Sequence, residues 1–211
     1  ARVGKENTSE MNCYDADAEV RMKQRIDEAK EAGDTLGGVF EVIVRGLPAG
    51  LGSHIQWDRR LDGKLAGALM SIQAIKGVEI GAGFQCGFLP GSEVHDEMFL
   101  AKDGSVYRKT NRAGGLEGGM TNGEEVVVRA AMKPIPTLMT PLHSVDVASH
   151  TEVLACKERS DTCAVPAASV VGEAMVAFVI AQAVCNKFGS DAMVDLKQAL
   201  AAYKERIGRD W

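Results

Sequence analysis

Residues 108–123 read Arg-Lys-Thr-Asn-Arg-Ala-Gly-Gly-Leu-Glu-Gly-Gly-Met-Thr-Asn-Gly, and five of these sixteen residues are glycine. Glycine lets the backbone take a positive φ or approach another group closely, and ordering so many glycines costs conformational entropy. Arg and Lys side chains accompany the glycines, and a β-rich run follows at 124–131. The pattern predicts a folded loop that presents backbone N–H groups and cations to an anion. A flexible surface loop is the alternative.

The composition is that of an ordinary globular protein, with 45% hydrophobic and 25% charged residues among 211. This length allows one large domain or two small ones. The net charge of −5 predicts no general attraction to nucleic acid or to a membrane surface. No secretory leader and no apolar run long enough to span a bilayer are expected. A cationic site in such an acidic chain would indicate a specific anionic ligand.

Neither the cysteines nor the histidines form a recognisable metal or catalytic pattern. The absence of a Cys-x-x-Cys motif and the odd cysteine count predict reduced, mostly buried thiols rather than disulfides or a zinc site. The histidines match no catalytic motif, so none is assigned a role. These residues are Cys13, Cys86, Cys156, Cys163 and Cys185, with His54, His95, His143 and His150.

Hydrophobic periodicity predicts about four helices and five or six strands. The helices are expected from Asp15 to Gly33, over 61–74, from Pro166 to about Phe188, and from Ser190-Asp191 to about Gly208. The third of these is apolar on nearly every face, which predicts a central, enclosed helix. The strands are expected over 39–44, 76–83, 125–132, 142–148 and 152–157, the first of them largely buried and central in its sheet. Residues 1–14 are predicted to be irregular, and 92–107 to be a polar surface excursion with a turn at Asp103-Gly104.

The order of these elements predicts an α+β fold, an antiparallel sheet with packed helices, because no strand–helix–strand rhythm runs through the chain. The Gly81-x-Gly83 segment resembles part of a dinucleotide-binding fingerprint. Its spacing to Gly87 is wrong, and no helix is expected to open after it. A nicotinamide-dependent oxidoreductase is therefore a remote hypothesis.

The Gly-rich stretch closely resembles the signature of chorismate synthase, and further segments resemble that family in the same order. They are Cys13-Tyr-Asp-Ala-Asp17, Gly33-Asp-Thr-Leu-Gly-Gly38, Gly50-Leu-Gly-Ser53, the run 68–81, Lys133-Pro-Ile-Pro-Thr137 and Arg159-Ser-Asp-Thr-Cys-Ala-Val-Pro166. The family's His-Gly-Glu-Ser-His type segment, its second catalytic histidine and its Ser-Gly-Arg-x-Ser-x-Arg-Glu-Thr type segment have no counterpart here. The resemblance implies that residues 1–211 are the C-terminal portion of a chorismate synthase domain, with about half of its β-α-β sandwich present.

The resemblance also implies a reaction. Chorismate synthase, a lyase of the shikimate pathway, converts 5-enolpyruvylshikimate-3-phosphate to chorismate with reduced FMN. Family members are cytoplasmic homotetramers, and fungal members add an NADP-linked flavin reductase activity. The partners implied are thus a phosphorylated small molecule and further copies of the chain, with no nucleic acid and no membrane.

The family pattern transfers to particular residues. Asp161 matches an aspartate near the flavin that is thought to help proton transfer, and it is the implied catalytic residue. The implied FMN-binding residues are Gln73, Ala74, Gly118, Lys133, Pro134, Ile135, Pro136, Thr137 and Arg159. No metal ligand is implied.

From the residues alone, simpler readings of these positions stay open. Lys133 and Thr137 offer an ammonium and a hydroxyl on a proline-stiffened backbone, which suits a phosphate, but also fits a solvated lysine beside a turn. Arg159 and Asp161 also fit a plain surface arginine and aspartate in a turn, and the residues alone favour that reading. The chain alone is expected to form no chorismate, because the family's acid–base histidines are missing. It is expected to bind FMN weakly or not at all, because part of the pocket is missing. A non-catalytic flavin- or phosphate-binding module is the alternative function.

Overall fold

A computed structural model describes residues 9–209 of the chain. Its helices are α1 (Ala16–Glu31), α2 (Leu61–Met70), α3 (Gly91–Val94), α4 (Val165–Phe188) and α5 (Met193–Arg209). Its strands are β1 (Gly38–Val44), β2 (Ile75–Ile80), β3 (Met98–Leu100), β4 (Val106–Arg108), β5 (Leu116–Glu117), β6 (Met120–Thr121), β7 (Val126–Met132), β8 (His143–Asp146) and β9 (Thr151–Leu154). Short 3-10 helices lie at Trp57–Arg59 and Gly83–Gly87.

The main sheet has three antiparallel strands in the order β1-β7-β2. Alternate residues of the central strand β7, Val126, Val128 and Ala130, point to one face and are at most 1% exposed. This is the period of two that a strand imposes on its side chains. One face of the sheet therefore carries the core.

Helices α2 and α4 cover that apolar face. Leu61, Leu65 and Leu69 recur every four residues on α2, so they share one side of the helix, and all three are fully buried. On α4, Gly172 leaves room for the ring of Phe40 from β1. The core is thus one layer of helices on one layer of sheet.

Helix α5 packs against the end of α4 rather than against the sheet. The Tyr203 ring lies 5.4 Å from the Phe188 ring, edge to face. The Tyr203 hydroxyl donates to the carbonyl of Ala49 at 2.9 Å. This contact ties the last helix to the loop before α2.

The opposite face of the sheet carries a charged row. Arg129 on β7 is registered with Glu41 on β1 and with Glu79 on β2. Its guanidinium lies 3.6 Å from the Glu79 carboxylate and 3.9 Å from that of Glu41, and it donates to the carbonyl of Gly81. These side chains are about a third exposed, so the ion pairs contribute little to stability.

The α+β prediction with an antiparallel sheet is confirmed, and so are several of its elements. Helix α1 is capped by Asp15, whose carboxylate accepts from the Ala18 N–H at 2.9 Å, and it ends before Gly33, which has φ 71°. Lys23 pairs with Glu19, four residues before it on the same helix, at 2.9 Å. Residues 9–15 contain only turns, while residues 1–8 of the predicted irregular lead-in lie outside the described part.

Three sequence predictions about the main sheet and its helices are wrong. Strand β1 lies at the edge of the sheet, and Val39 is 62% exposed, because only its alternate side chains face the helices. Helix α2 stops at Met70 instead of Ala74, because Ala74 turns the chain with φ 65°. Helix α4 is not enclosed, since Val170, Val171 and Phe178 are exposed.

Helix α4 also corrects the expectation that no segment is long enough to span a bilayer. Its 24 residues pass that test by length and composition, with a third of the apolar window buried. Core helices pass the same test, and α4 packs on β1 and α2. The feature is therefore weak evidence for a membrane.

The surface segments contain more structure than the sequence indicates. The 92–107 excursion holds α3 and the β3–β4 hairpin, with the expected turn at Gly104. The Gly-rich stretch contains the β5–β6 hairpin. The cysteines are free but not mostly buried: Cys156 is exposed and the other four are partly exposed.

The contact between Gly172 and Phe40 gives a stability prediction. A Cβ at Gly172 would overlap the Phe40 ring, reaching 2.8 Å from its Cζ, and that ring is itself buried. We expect Gly172→Ala to lower the free energy of unfolding by about 1–3 kcal/mol, the usual cost of overpacking. Urea denaturation of the chain measures this.

Gly67→Ala on α2 is the matched control. A Cβ there meets nothing within 4 Å, so the helix propensity of alanine should raise stability by up to about 1 kcal/mol. A Gly172→Ala variant as stable as Gly67→Ala would show that α4 does not press on Phe40.

Candidate functional site

The turn after α1, residues 33–38, is the point to which two loops are attached. Thr35 is 7% exposed, and its hydroxyl donates to the carbonyl of Ile135 at 2.6 Å. The N–H of Leu36 donates to the carbonyl of Thr162 at 2.7 Å. A Cβ on Gly37 would overlap the Met132 carbonyl and lie 3.0 Å from the backbone of Lys133. The turn therefore requires glycine at this close approach.

The segment 133–137 leaves the end of β7 and runs beside the turn that follows α2. The N–H of Lys133 donates to the carbonyl of Ala74 at 2.9 Å. Ala74 has φ 65°, a conformation that costs a non-glycine residue free energy and recurs at functional sites. The side chains of Gln73 and Lys133 are exposed. The backbone contact therefore holds the predicted pair Gln73-Ala74 next to the predicted lysine.

The segment 159–161 joins the same region. The Ser160 hydroxyl donates to the carbonyl of Thr137 at 3.0 Å. Arg159 and Asp161 flank Ser160 and are exposed, and within residues 9–209 neither forms an ion pair. Both side chains thus lie at the surface, which the alternative reading of plain surface residues also predicts.

Nine of the ten predicted site residues therefore lie in three adjoining loops, which we call the loop surface. It consists of 73–74, 133–137 and 159–161. It offers the cations Lys133 and Arg159 and the carboxylate Asp161, none of them in an ion pair within the described part of the chain, on a backbone cross-linked through Thr35, Ala74 and Ser160. Such a donor set can bind a phosphate and place a carboxylate beside it.

Gly118 lies elsewhere. It is in the tip of the β5–β6 hairpin, exposed, with φ 59° and nothing within 4 Å of a Cβ built on it. The carbonyl of the next residue, Gly119, accepts from the N–H of Leu61 at 2.9 Å, at the start of α2. Lys133 and Ala74 lie beyond the other ends of β7 and α2, about 20 Å away at about 3.4 Å per strand residue. One chain therefore does not bring Gly118 to the loop surface.

The Gly-rich loop is folded, as predicted, but part of its anion-binding capacity is already used. The carboxylate of Asp96 accepts from the N–H groups of Arg112 and Ala113, each at 2.8 Å, and from the Thr110 hydroxyl at 2.5 Å. Asn111 adds a bond to the Gly115 N–H at 2.8 Å. The anion held by these groups is thus a side chain of the same protein.

The environment of Asp96 keeps it charged. Burial by itself would raise the pKa of this carboxyl, but the hydrogen bonds from Ala113, Thr110 and Arg112 outweigh it and lower the pKa below the ordinary value. A carboxylate that accepts several N–H groups is stabilised in its ionised form. The loop is therefore held by a charge that persists at neutral pH.

Sequence reasoning assigned no role to Thr35, Gly37 or Asp96. The first two lie in the quoted segment 33–38, whose paired glycines were a usable signal for a close approach. Asp96 sits in a polar stretch without a motif, and only the folded chain shows what it binds. Within residues 9–209 no group of three His, Cys, Asp or Glu residues is arranged to hold a metal ion.

Comparison with known proteins gives one consistent result. The sequence profile of the family described as chorismate synthase matches residues 1–185. A protein named chorismate synthase from Syntrophotalea carbinolica is 62% identical over 201 residues, which cover 95% of this chain and 52% of that protein. Another of the same name from Desulforamulus reducens is 57% identical over 205 residues, covering 97% of this chain and 53% of that one.

The fold comparison agrees. A solved structure titled "Crystal Structure of Chorismate Synthase" matches with a TM-score of 0.75 at 48% identity, over 90% of this chain and 49% of that chain. The chain spans about half the length of the relatives that it matches.

Replacing Asp96 should loosen the Gly-rich loop. Asp96→Asn keeps one acceptor oxygen and puts an amide donor in place of the other, so one backbone N–H loses its partner. We expect about 1–3 kcal/mol of lost stability and faster amide exchange at Arg112 and Ala113. Asp103→Asn, in the exposed β3–β4 turn where the carboxylate serves only Ser105, is the control and should change stability by about 0.5 kcal/mol at most.

The effect should depend on pH with a defined sign. Because the folded-state pKa of Asp96 is lowered, its contribution is fully present above the ordinary carboxyl pKa of about 4 and is lost as the pH falls through the folded value. The stability difference between the wild type and Asp96→Asn should therefore shrink in acid. A difference that stays constant down to the acid transition would contradict this account.

A side chain at position 37 should disturb the segment 133–137 of the loop surface. Gly37→Ala would push the added methyl group into the Met132 carbonyl and the Lys133 backbone, which cannot retreat without breaking the Lys133–Ala74 hydrogen bond. We expect faster exchange of the Lys133 amide and a loss of about 1–3 kcal/mol. Gly87→Ala, in open space, should leave both unchanged. Equal exchange rates in the two variants would show that the 133–137 segment is not held by this contact.

Proposed function

The chain belongs to the chorismate synthase family, and on that basis we propose that residues 1–211 form the C-terminal portion of a chorismate synthase domain. The proposed reaction is the anti-1,4-elimination of phosphate from 5-enolpyruvylshikimate-3-phosphate, giving chorismate. The observation that carries this proposal is the loop surface, where the exposed Lys133, Arg159 and Asp161 lie on adjoining loops and have no ion-pair partner among residues 9–209.

The elimination needs an anion acceptor and a proton acceptor. The C–O bond breaks with its electron pair leaving on phosphate, a C–H bond gives its proton to a base and its electrons to the new double bond, and no net redox change results. Cations stabilise the departing phosphate. Reduced FMN, when bound, supplies transient electron density that weakens the C–O bond.

The chemistry of the loop surface fits a flavin phosphate. Lys133 supplies an ammonium, Arg159 a planar fork of N–H donors, and Thr137 a hydroxyl. Pro134 and Pro136 stiffen the backbone between Lys133 and Thr137. Ala74, with its positive φ, and Gln73 offer backbone and amide groups at the same place. We propose that these residues, with Ile135 between the prolines, hold FMN.

We propose Asp161 as the catalytic residue. Its carboxylate is exposed and lies two residues from Arg159, beside the serine that is bonded to Thr137. A carboxylate placed next to the cofactor-binding cations can accept or relay a proton at the reacting centre. Ser160, which holds the segment, acts as a positioning residue.

We propose that the chain works as a homo-oligomer, a tetramer as the family resemblance implies. Strands β8 and β9 form a hairpin whose side chains are all exposed, among them Val145 at 63% and Leu154 at 61%. Phe178 on the outer face of α4 is 71% exposed. Apolar surface of this kind is typical of interfaces. A ligand contacting both Gly118 and Lys133 must span about 20 Å or meet them on two protomers.

The net charge of the chain and the lack of a dinucleotide-binding motif bear on the remaining proposed partners. A net charge of −5 is unsuited to binding nucleic acid or an anionic membrane, and a cytoplasmic location fits a biosynthetic lyase. An NADP-linked reductase activity would need a nicotinamide site. The Gly81-x-Gly83 segment does not supply the required strand–turn–helix, because it leads into a five-residue 3-10 helix.

A chimera tests the proposed function. The chain replaces the corresponding half of the Syntrophotalea carbinolica relative, which is 62% identical over the shared region, and chorismate formation is measured with reduced FMN. We expect turnover by the chimera, and a loss of about 100-fold or more in kcat for Asp161→Asn, the scale of a general acid–base group.

Asp191→Asn, at an exposed position before α5, is the control and should leave kcat unchanged. FMN affinity, followed by flavin fluorescence, should fall in Lys133→Gln and not in Lys76→Gln on β2. A folded chimera that binds FMN but forms no chorismate would support the non-catalytic module instead.

A further inference from the structure

A second cationic feature lies at the end of the molecule away from the loop surface. There the loop before α2, the start of α2 and the end of α4 enclose a cavity of about 510 Å³. Small-molecule sites in proteins are typically about 300–1,000 Å³. The cavity is therefore large enough for a ligand of metabolite size.

The polar lining of this cavity is cationic. It contains three cations, Arg59, Lys64 and Lys187, together with the hydroxyl of Ser53 and the amide of Asn186. No Asp or Glu lines it, and among residues 9–209 none of the three cations forms an ion pair. The neighbouring Arg60, by contrast, is paired with Asp62. The cavity thus brings together three cations that have no acidic side chain in its lining.

This arrangement is not a consequence of a basic surface. The chain carries 29 acidic against 24 basic residues, so three unpaired cations around one cavity run against the overall charge. Like charges that line one cavity repel one another, and an anion between them relieves that repulsion. Leu61 and Ala183 supply apolar contacts for the rest of a ligand.

The ammonium group of Lys187 is held in place by the aromatic ring of Tyr203. Its ammonium lies 4.4 Å from the centre of the Tyr203 ring, and the Tyr203 hydroxyl is fixed by the Ala49 carbonyl. A cation–π contact of this kind orients an ammonium without neutralising it. The cavity therefore presents a pre-oriented cation rather than a freely moving one.

The cavity is separate from the loop surface. Val165, at the start of α4, packs near Gly38, and Lys187 lies 22 residues further along the helix, about 33 Å away at about 1.5 Å per residue. The cavity instead adjoins the Gly-rich hairpin, because the N–H of Ser53, one of its lining residues, donates to the carbonyl of Gly119 at 3.3 Å. Its occupant is therefore a different molecule from one bound at Lys133.

We propose that this cavity is a binding site for a small organic polyanion, and specifically for a phosphate monoester. The fork of Arg59 matches phosphate oxygens in two-point contacts, and the ammonium groups of Lys64 and Lys187 balance a dianion. A polynucleotide fits less well, because the cavity is concave and the surrounding chain is acidic.

Titration of the 211-residue chain tests the site. Glycerol 3-phosphate, inorganic phosphate, citrate and a single-stranded oligonucleotide are added separately, and binding is followed by the amide shifts of Ser53 and Lys187. We expect saturable binding of glycerol 3-phosphate that weakens with salt. Arg59→Gln and Lys64→Gln should each weaken it about tenfold or more, the loss expected for one charge-assisted hydrogen bond.

Lys102→Gln, in the exposed β3–β4 turn, removes the same charge far from the cavity and should bind as the wild type does. Arg59 and Lys64 are at the surface, so the Arg59→Gln and Lys64→Gln variants should unfold at the same temperature as the Lys102→Gln control. The proposal is overturned if glycerol 3-phosphate does not saturate, if all three variants weaken equally, or if only citrate or the oligonucleotide binds. Inorganic phosphate that binds as tightly as its ester would overturn the assignment to an organic ligand.

Discussion

The rest of the structure depends on one strand, β7, which is hydrogen-bonded to a neighbouring strand on each side. Strand β7 pairs antiparallel with β1 over its whole length and with β2 over residues 128–132, and its inward side chains, Val126 and Val128, are completely buried. A central strand has no free backbone groups, so it fixes the register of both neighbours. The helices α2 and α4 have a single apolar face to cover, and their packing follows from it.

The same strand sets the distances between functional groups. It carries the Gly-rich hairpin at one end and the segment 133–137 at the other, so residues only fifteen apart in the sequence, Gly118 and Lys133, are far apart in space. The loop surface arises at the second end, because the turn at Thr35 and Gly37 meets the exit of β7. The buried hydroxyl of Thr35 and the absence of a side chain on Gly37 therefore determine where the exposed Lys133 and Arg159 lie.

Some charged groups have partners within the chain, and others have none among the described residues. Asp96 satisfies the N–H groups of the Gly-rich loop from within the chain. Lys133, Arg159 and the cations of the cavity have no such internal partner among residues 9–209. Several cations that converge on one concave surface focus the electric field there and favour the binding of an external anion. The proposals for the loop surface and for the cavity both rest on that difference.

The sequence by itself determined the fold class, the position of helix α1 and the family, because these depend on local periodicity, on helix start and stop residues and on contiguous motifs. It also named the residues of the loop surface through the family resemblance. It could not determine that β1 is an edge strand or that α4 is half exposed, since an apolar run reads the same whichever of its faces is covered. Only the tertiary structure decided that Asp96 holds the Gly-rich loop, that Gly118 is remote from Lys133, and that Arg59, Lys64 and Lys187 meet around one cavity. Those are contacts between segments distant in the chain, and no local pattern encodes them.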